Sequence, residues 1–318
     1  MTNPLTMLSG SDTRVVALRP RSAAAVLLAT VGGIVAFGWP LLVSPGSVLT
    51  GDSRAPMVFA LLLPVVMTVV LLEITEGGLD PKAVAMLGVL AAVGAALRPL
   101  GAGTAGLETV FFLLVLAGRV FGRGFGFVLG ATTLFASALI TGGVGPWLPF
   151  QMFGAAWVGM GAGLLPPVPR RWKILFLASY GAVAGLLYGI VMNLYGWPSG
   201  LGVGTALSLV PGDPIWSNLH RFLVYSFSTS LGWDLGRALT NFVLIMVTGK
   251  AVLATLRRAA RKAAFASLNT QSVAVASRQT GRRVDPGPDQ TLHHQGERPG
   301  EHDPHQVDAQ LRQGTGDL

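Results

Sequence analysis

Apolar residues in this chain do not alternate with polar ones at a short period. They gather in long blocks, separated by short clusters of arginine, lysine, glycine and proline. A block of roughly 20 mostly apolar residues crosses a bilayer as a helix, with about 17 to 25 as the usual range. Residues 23–43 and 174–197 meet that length without a charged residue. Residues 56–72 lie at its lower edge, and 83–97 are short enough that Lys82 and Arg98 must snorkel outward to complete a span. A fourth block, 101–118, is interrupted only by Glu108, and a fifth covers 124–141 after Arg119 and Arg123. Residues 150–168 follow the loop Gly142-Gly143-Val144-Gly145-Pro146-Trp147, and 231–248 form the last block despite Asp234 and Arg237. The pattern predicts an all-α, polytopic membrane bundle of about eight transmembrane helices.

The positive-inside rule tests that number, because one span more or less would exchange the sides of every later loop. With eight spans, Arg14, Arg19, Arg21, Lys82, Arg119, Arg123, Arg170, Arg171, Lys173, Lys250, Arg257, Arg258, Arg261 and Lys262 share one side, and only Arg54, Arg98 and Arg221 take the other. The rich side is predicted to be cytoplasmic, which places both termini there in a multi-pass protein of the cell membrane. The first block begins too late and runs too long for a cleaved signal peptide. Beyond Ala266 the chain turns to Gln, Gly, Pro, Asp and His, and a disordered cytoplasmic tail is expected over 263–318. Its histidines, His293, His294, His302 and His305, read as part of that polar tail and not as a metal site.

Composition agrees with this layout. Hydrophobic residues make up 51% of the 318 and charged residues 12%, against roughly 25% charged in soluble domains. Cysteine is absent, which excludes disulfides, thiolate metal sites and cysteine nucleophiles. The formal charge of +8 sits in the clusters between apolar blocks, so topology explains it better than nucleic-acid binding.

Small residues recur every fourth position in several blocks: Gly88, Ala92 and Ala96; Gly122, Gly126 and Gly130; Gly159 and Gly163; Gly181, Gly185 and Gly189. Such stripes let helix backbones approach closely in lipid. Most are expected to pack within the bundle. One stripe is expected to face another membrane subunit, with Gly88, Ala92 and Ala96 as the candidate and Ala25, Ala29 and Gly33 as its competitor.

Ionisable groups at membrane depth are costly and mark function by default. In the predicted topology Arg98, Glu108, Gln151 and Asn193 lie toward the outer ends of their spans. Asp234, Arg237 and Asn241, three and four residues apart, share one helical face. The polar groups thus converge on a cup open to the outside. Trp147, Trp157, Tyr195, Trp197 and Trp216 fall near the same level, as walls for a flat ligand or as an interfacial belt. Asp234 with Arg237, and Glu108 with Arg98, also fit structural ion pairs. Gly249-Lys250 lacks the glycine loop and hydroxyl of a P-loop. His220 is the only histidine outside the tail, which weighs against a zinc protease or a serine–histidine dyad. No enzyme activity and no cofactor are expected. A proton-coupled secondary transporter using Glu108 or Asp234, and a structural or assembly protein, are the competing readings.

Several motifs occur in order: Arg98-Pro99-Leu100, Gly118-Arg119-Val120-Phe121-Gly122, Gly142-Gly143-Val144-Gly145-Pro146-Trp147-Leu148-Pro149-Phe150-Gln151-Met152, and Gly232-Trp233-Asp234-Leu235-Gly236-Arg237-Ala238. Over about 83–262 the chain resembles the substrate-binding S component of energy-coupling factor (ECF) vitamin transporters, in particular actinobacterial members predicted to carry cobalamin. The resemblance implies a six-helix core over 83–262; the two helices expected in 23–82, after a cytoplasmic segment 1–22, depart from the family's pattern. It implies a vitamin or its precursor held by the outer loops and helix ends; from the polar residues at membrane depth, Arg98, Glu108, Trp147, Gln151, Asn193, Asp234, Arg237 and Asn241 are the expected site residues. It also implies docking of an Ala-x-x-x-Ala stripe, here Ala92 and Ala96 extended by Gly88, on a transmembrane coupling subunit, with ATP hydrolysed by separate chains.

Overall fold

The computed structural model describes residues 20–47, 65–66, 68–69, 81–101, 106–201 and 204–280, with side chains from 23 to 262 within those ranges. Among the described residues there are seven helices and no strand: α1 (Pro20–Leu42), α2 (Pro81–Gly101), α3 (Phe111–Phe121), α4 (Arg123–Thr141), α5 (Leu148–Leu164), α6 (Lys173–Gly200) and α7 (Ile215–Thr280). Five of them, α1, α2, α4, α6 and α7, are long and apolar enough to cross a membrane. The chain is therefore a multi-pass helical membrane protein. It divides into two units, Met1–Thr270 and Gln271–Leu318, and the packed helical bundle belongs to the first.

The helix ends follow local chemistry. Pro20 and Pro81 open α1 and α2, where the missing N–H costs nothing. Gly122 ends α3 and starts α4 with φ 101°, its N–H donating to the Gly118 carbonyl at 2.9 Å. Gly142, left-handed at φ 66°, closes α4, and the Gly143 N–H returns to the Ala138 carbonyl at 2.9 Å, a glycine-capped helix terminus. Leu165-Pro166-Pro167 stops α5.

Three expected spans differ from the helices observed. The block 101–118 is not one helix: α2 continues to Gly101, Gly106 turns the chain at φ 77°, and α3 begins only at Phe111. The block 150–168 ends early, at Leu164. The last span begins at Ile215, well before residue 231, and its helix runs on to Thr280 through the first part of the expected tail. Of the block 56–72 only 65–66 and 68–69 are described, all helical; its remainder, like residues 281–318 with their four histidines, lies outside the described residues.

At the centre α3 is almost wholly buried, and α4 and α5 pack on it and on each other. The α4–α5 seam is made by backbone. Side chains added at Gly126 or Gly130 would run into the carbonyls of Gly159 or Ala155, and one at Gly159 into that of Gly126; on α3, one at Gly118 would also meet the Gly159 carbonyl. Glycine is required there by proximity, as small-residue stripes allow in membranes. Helix α2 lies on α4, where Gly94 meets Thr133. Helix α6 packs on α5 and α3, and α1 on α6 and α5. The glycine stripe of α6 receives α7: Gly181 faces Ile245 and Asn241, Gly185 faces Arg237 and Ala238, and Gly189 faces Asp234.

Candidate functional site

Helix directions bring five chain segments to one end of the bundle. There α2 ends with Arg98, Pro99 and Gly101, α4 ends with Ser137 and Thr141, α5 begins beside Trp147 and Gln151, and α7 passes with Trp233 and Arg237. The segment 106–108 closes the ring. Gly106 lies against the backbone of Trp233, and Gly101 against the carbonyl of Leu107. The Thr109 hydroxyl donates to the Leu97 carbonyl at 2.6 Å. Together these contacts hold Glu108 against α7. Between the segments is a cavity of about 370 Å³, within the usual range for small-molecule sites.

Charge organises its wall. Arg237 Nε donates to Glu108 Oε2 at 2.6 Å and Nη1 to Asp234 Oδ1 at 2.7 Å, so one guanidinium bridges two carboxylates. Its side chain also lies 5.3 Å above the Tyr188 ring. Arg98 has a different partner, its Nη2 donating to Gln151 Oε1 at 3.2 Å. The expected pairing of Glu108 with Arg98 is thus replaced by one with Arg237. The expected Asp234–Arg237 pair forms.

Of the eight predicted site residues, Arg98, Glu108, Trp147, Gln151 and Arg237 line the cavity. Asp234 stands behind Arg237, buried at 5% exposure. Asn241 is fully buried one turn further on, donating to the Arg237 carbonyl at 2.8 Å. Asn193 is directed elsewhere: its amide donates to Ser226 Oγ at 3.0 Å, tying α6 to α7. The aromatic wall is narrower than expected. Only Trp147 of the five lies on the cavity. Trp157 packs on Phe37 and Phe153, Tyr195 stacks on Phe150 at 3.9 Å, Trp197 is buried with its N–H on the Leu207 carbonyl, and Trp216 is exposed. No family model, curated protein or solved structure matches the chain.

Eight lining residues are not among the expected site residues: Pro99, Gly101, Gly106, Leu107, Gly143, Ser137, Thr141 and Trp233. Ser137 and Thr141 are four apart on α4, and Trp233 is four before Arg237, so each pair shares a helix face. That spacing was a usable signal. The small-residue stripes also separate. Gly88, Ala92 and Ala96 are all exposed, and nothing lies within 4 Å of a side chain placed at Gly88. Ala29 and Gly33 are buried, with Gly33 against the rings of Trp157 and Phe153. The α1 stripe packs inside the chain, whereas the α2 stripe is open among the described residues.

Proposed function

We propose that this chain is the substrate-capturing S component of an ECF-type vitamin importer, seated in the cell membrane with the cavity open to the outside. The observation that carries this reading is the cavity itself, which gathers five predicted site residues from distant segments at one end of the bundle. Lys82, Arg119, Arg123 and Lys173 mark the opposite helix ends, and the positive-inside rule assigns that end to the cytoplasm. Both termini are then assigned to the cytoplasm, and α1 stands outside the core. On this reading the helices α2 to α7 form the core, with α2, α4, α6 and α7 long enough to cross the membrane.

The chain binds and the partners do work: it carries no enzyme activity and no cofactor of its own. The exposed stripe Gly88, Ala92 and Ala96 docks the transmembrane coupling subunit, and ATP-binding subunits on separate chains drive delivery. A cavity of about 370 Å³ lies toward the small end of the roughly 300–1,000 Å³ found for ligand sites, and this supports a compact vitamin over cobalamin, most of which would project from it. The secondary-transporter reading is disfavoured because both of its proton-relay candidates, Glu108 and Asp234, are tied to Arg237.

The test is vitamin uptake by cells expressing the chain with and without the coupling subunits and their ATPases. Uptake that needs all of them supports the proposal. Uptake by the chain alone points to a stand-alone transporter, and no uptake under either condition overturns the vitamin reading.

A further inference from the structure

Vitamin capture alone leaves the ligand's chemistry open, and the partners of the cavity's polar groups narrow it. Arg237 has both carboxylates, Glu108 and Asp234, within 2.7 Å. Arg98 has neither. Among the described residues its hydrogen-bonded partner is the neutral Gln151 side chain, which it meets through one of five guanidinium N–H donors. It sits on the wall of a cavity framed also by Trp147, Trp233 and the Glu108 carboxylate.

A second observation is independent of the charges. Ser137 lines the cavity, is fully buried, and its hydroxyl has no hydrogen-bond partner among the described residues. Buried hydroxyls are nearly always paired. Thr141, one turn later, spends its own hydroxyl on the Ser137 carbonyl at 2.8 Å. The cavity therefore offers an unneutralised guanidinium, the Gln151 amide nitrogen and an unpaired hydroxyl. It also offers the Glu108 oxygen that Arg237 leaves unbonded.

The balance of charge decides what fits. Glu108, Asp234 and Arg237 together carry one net negative charge, offset at a distance by Arg98. A ligand bringing only a negative group to Arg98 would leave the unbonded Glu108 oxygen without a donor. A ligand with a negative group at Arg98 and a hydrogen-bond donor at Glu108 satisfies both. We infer that the cavity selects a small carboxylic acid that also carries an N–H or O–H donor, its carboxylate on Arg98 with Gln151 and Ser137, and its donor on Glu108. Arg98 supplies the planar fork that suits a carboxylate. This inference rests on the vitamin-capture reading and gives it a substrate class.

The experiment is calorimetric titration of the detergent-purified full chain with two pairs that differ in one carboxylate and whose acid carries a donor, biotin and biotinamide and pantothenate and panthenol, and with nicotinate and nicotinamide as a control pair whose acid has no donor and should not bind. Riboflavin, thiamin and cobalamin are run alongside. One acid should bind, and its neutral partner should bind on the order of tenfold to a hundredfold more weakly, as loss of a charge-assisted bond implies. Arg98→Gln should erase that preference by weakening the acid alone, and Arg98→Lys should restore part of it. Ser137→Ala provides a variant that leaves every charge in place and should weaken the acid by a smaller factor. Binding of riboflavin, thiamin or cobalamin, with none of the acids preferred over its neutral partner, overturns this inference and leaves vitamin capture standing. No binding by any of the nine compounds to folded protein overturns both.

Discussion

Gly189 on α6 faces the carboxylate of Asp234 on α7 so closely that a methyl group at residue 189 would occupy the carboxylate's place. The same carboxylate accepts from Arg237 at 2.7 Å. One missing side chain therefore makes room for the ion pair that orients the cavity's second arginine.

Replacing that glycine tests the arrangement. Gly189→Ala should lower the unfolding free energy in detergent by about 1–3 kcal/mol, the usual cost of overpacking. Gly196→Ala, on the same helix with nothing within 4 Å of the added carbon, should leave the melting temperature unchanged. Equal melting temperatures for the two variants would remove the steric account of the α6–α7 contact.

The bridge from Arg237 to Glu108 and Asp234 predicts strong coupling between these positions. Arg237→Met alone leaves two carboxylates without a cation at 17% and 7% side-chain exposure, and a loss of about 3 kcal/mol or more is expected. Adding Glu108→Gln and Asp234→Asn to it should recover much of that loss. A thermal-denaturation series over the single, double and triple variants measures the coupling; additive effects would show that the bridge does not hold as one unit.

The two small-residue stripes should respond oppositely to bulk. Gly33→Leu drives a side chain into the Trp157 and Phe153 rings and should reduce the yield of folded, monodisperse protein. Gly88→Leu and Ala92→Leu project from an open face, so the isolated chain should fold as before. Under the proposed function these two variants should nonetheless fail to co-purify with the coupling subunit. Retained co-purification would move the docking surface off α2.

Gly122 carries both the end of α3 and the start of α4 at φ 101°. Gly122→Ala should cost about 1–3 kcal/mol from backbone strain, visible as a lower melting temperature without any change in the binding of whatever ligand is found.

Long apolar blocks made α1, α2, α4 and α6 legible, because charge-free length is the property a bilayer selects. The start of α7 was hidden. Ser217, Asn218, His220 and Arg221 lower the apolar character of its first turns, yet the helix end is held there by Asn218, paired to both backbone groups of Val210, and by Arg221, paired to Asp213. The break after Gly101 was hidden for the opposite reason. Hydropathy does not register a positive φ at Gly106, so an apolar run looked like a continuous span. Within the site, the shared face of Asp234, Arg237 and Asn241 followed from spacing alone. The choice of Arg237 over Arg98 as the partner of Glu108 did not, since it depends on how the 106–110 segment folds back against Trp233.

The glycine seam between α4 and α5 bears on how such a molecule changes shape. Where two helices touch through carbonyls and α-carbons, no side chain stands between them to swing, rotate or yield, and sliding would bring backbone into backbone. The middle of this protein is therefore an inert spine. Any adjustment of the cavity around a guest falls to the flanks, to the last turn of α2 with Arg98 and to α7 with Arg237. The two arginines that face the guest thus ride on helices outside that spine, α2 and α7.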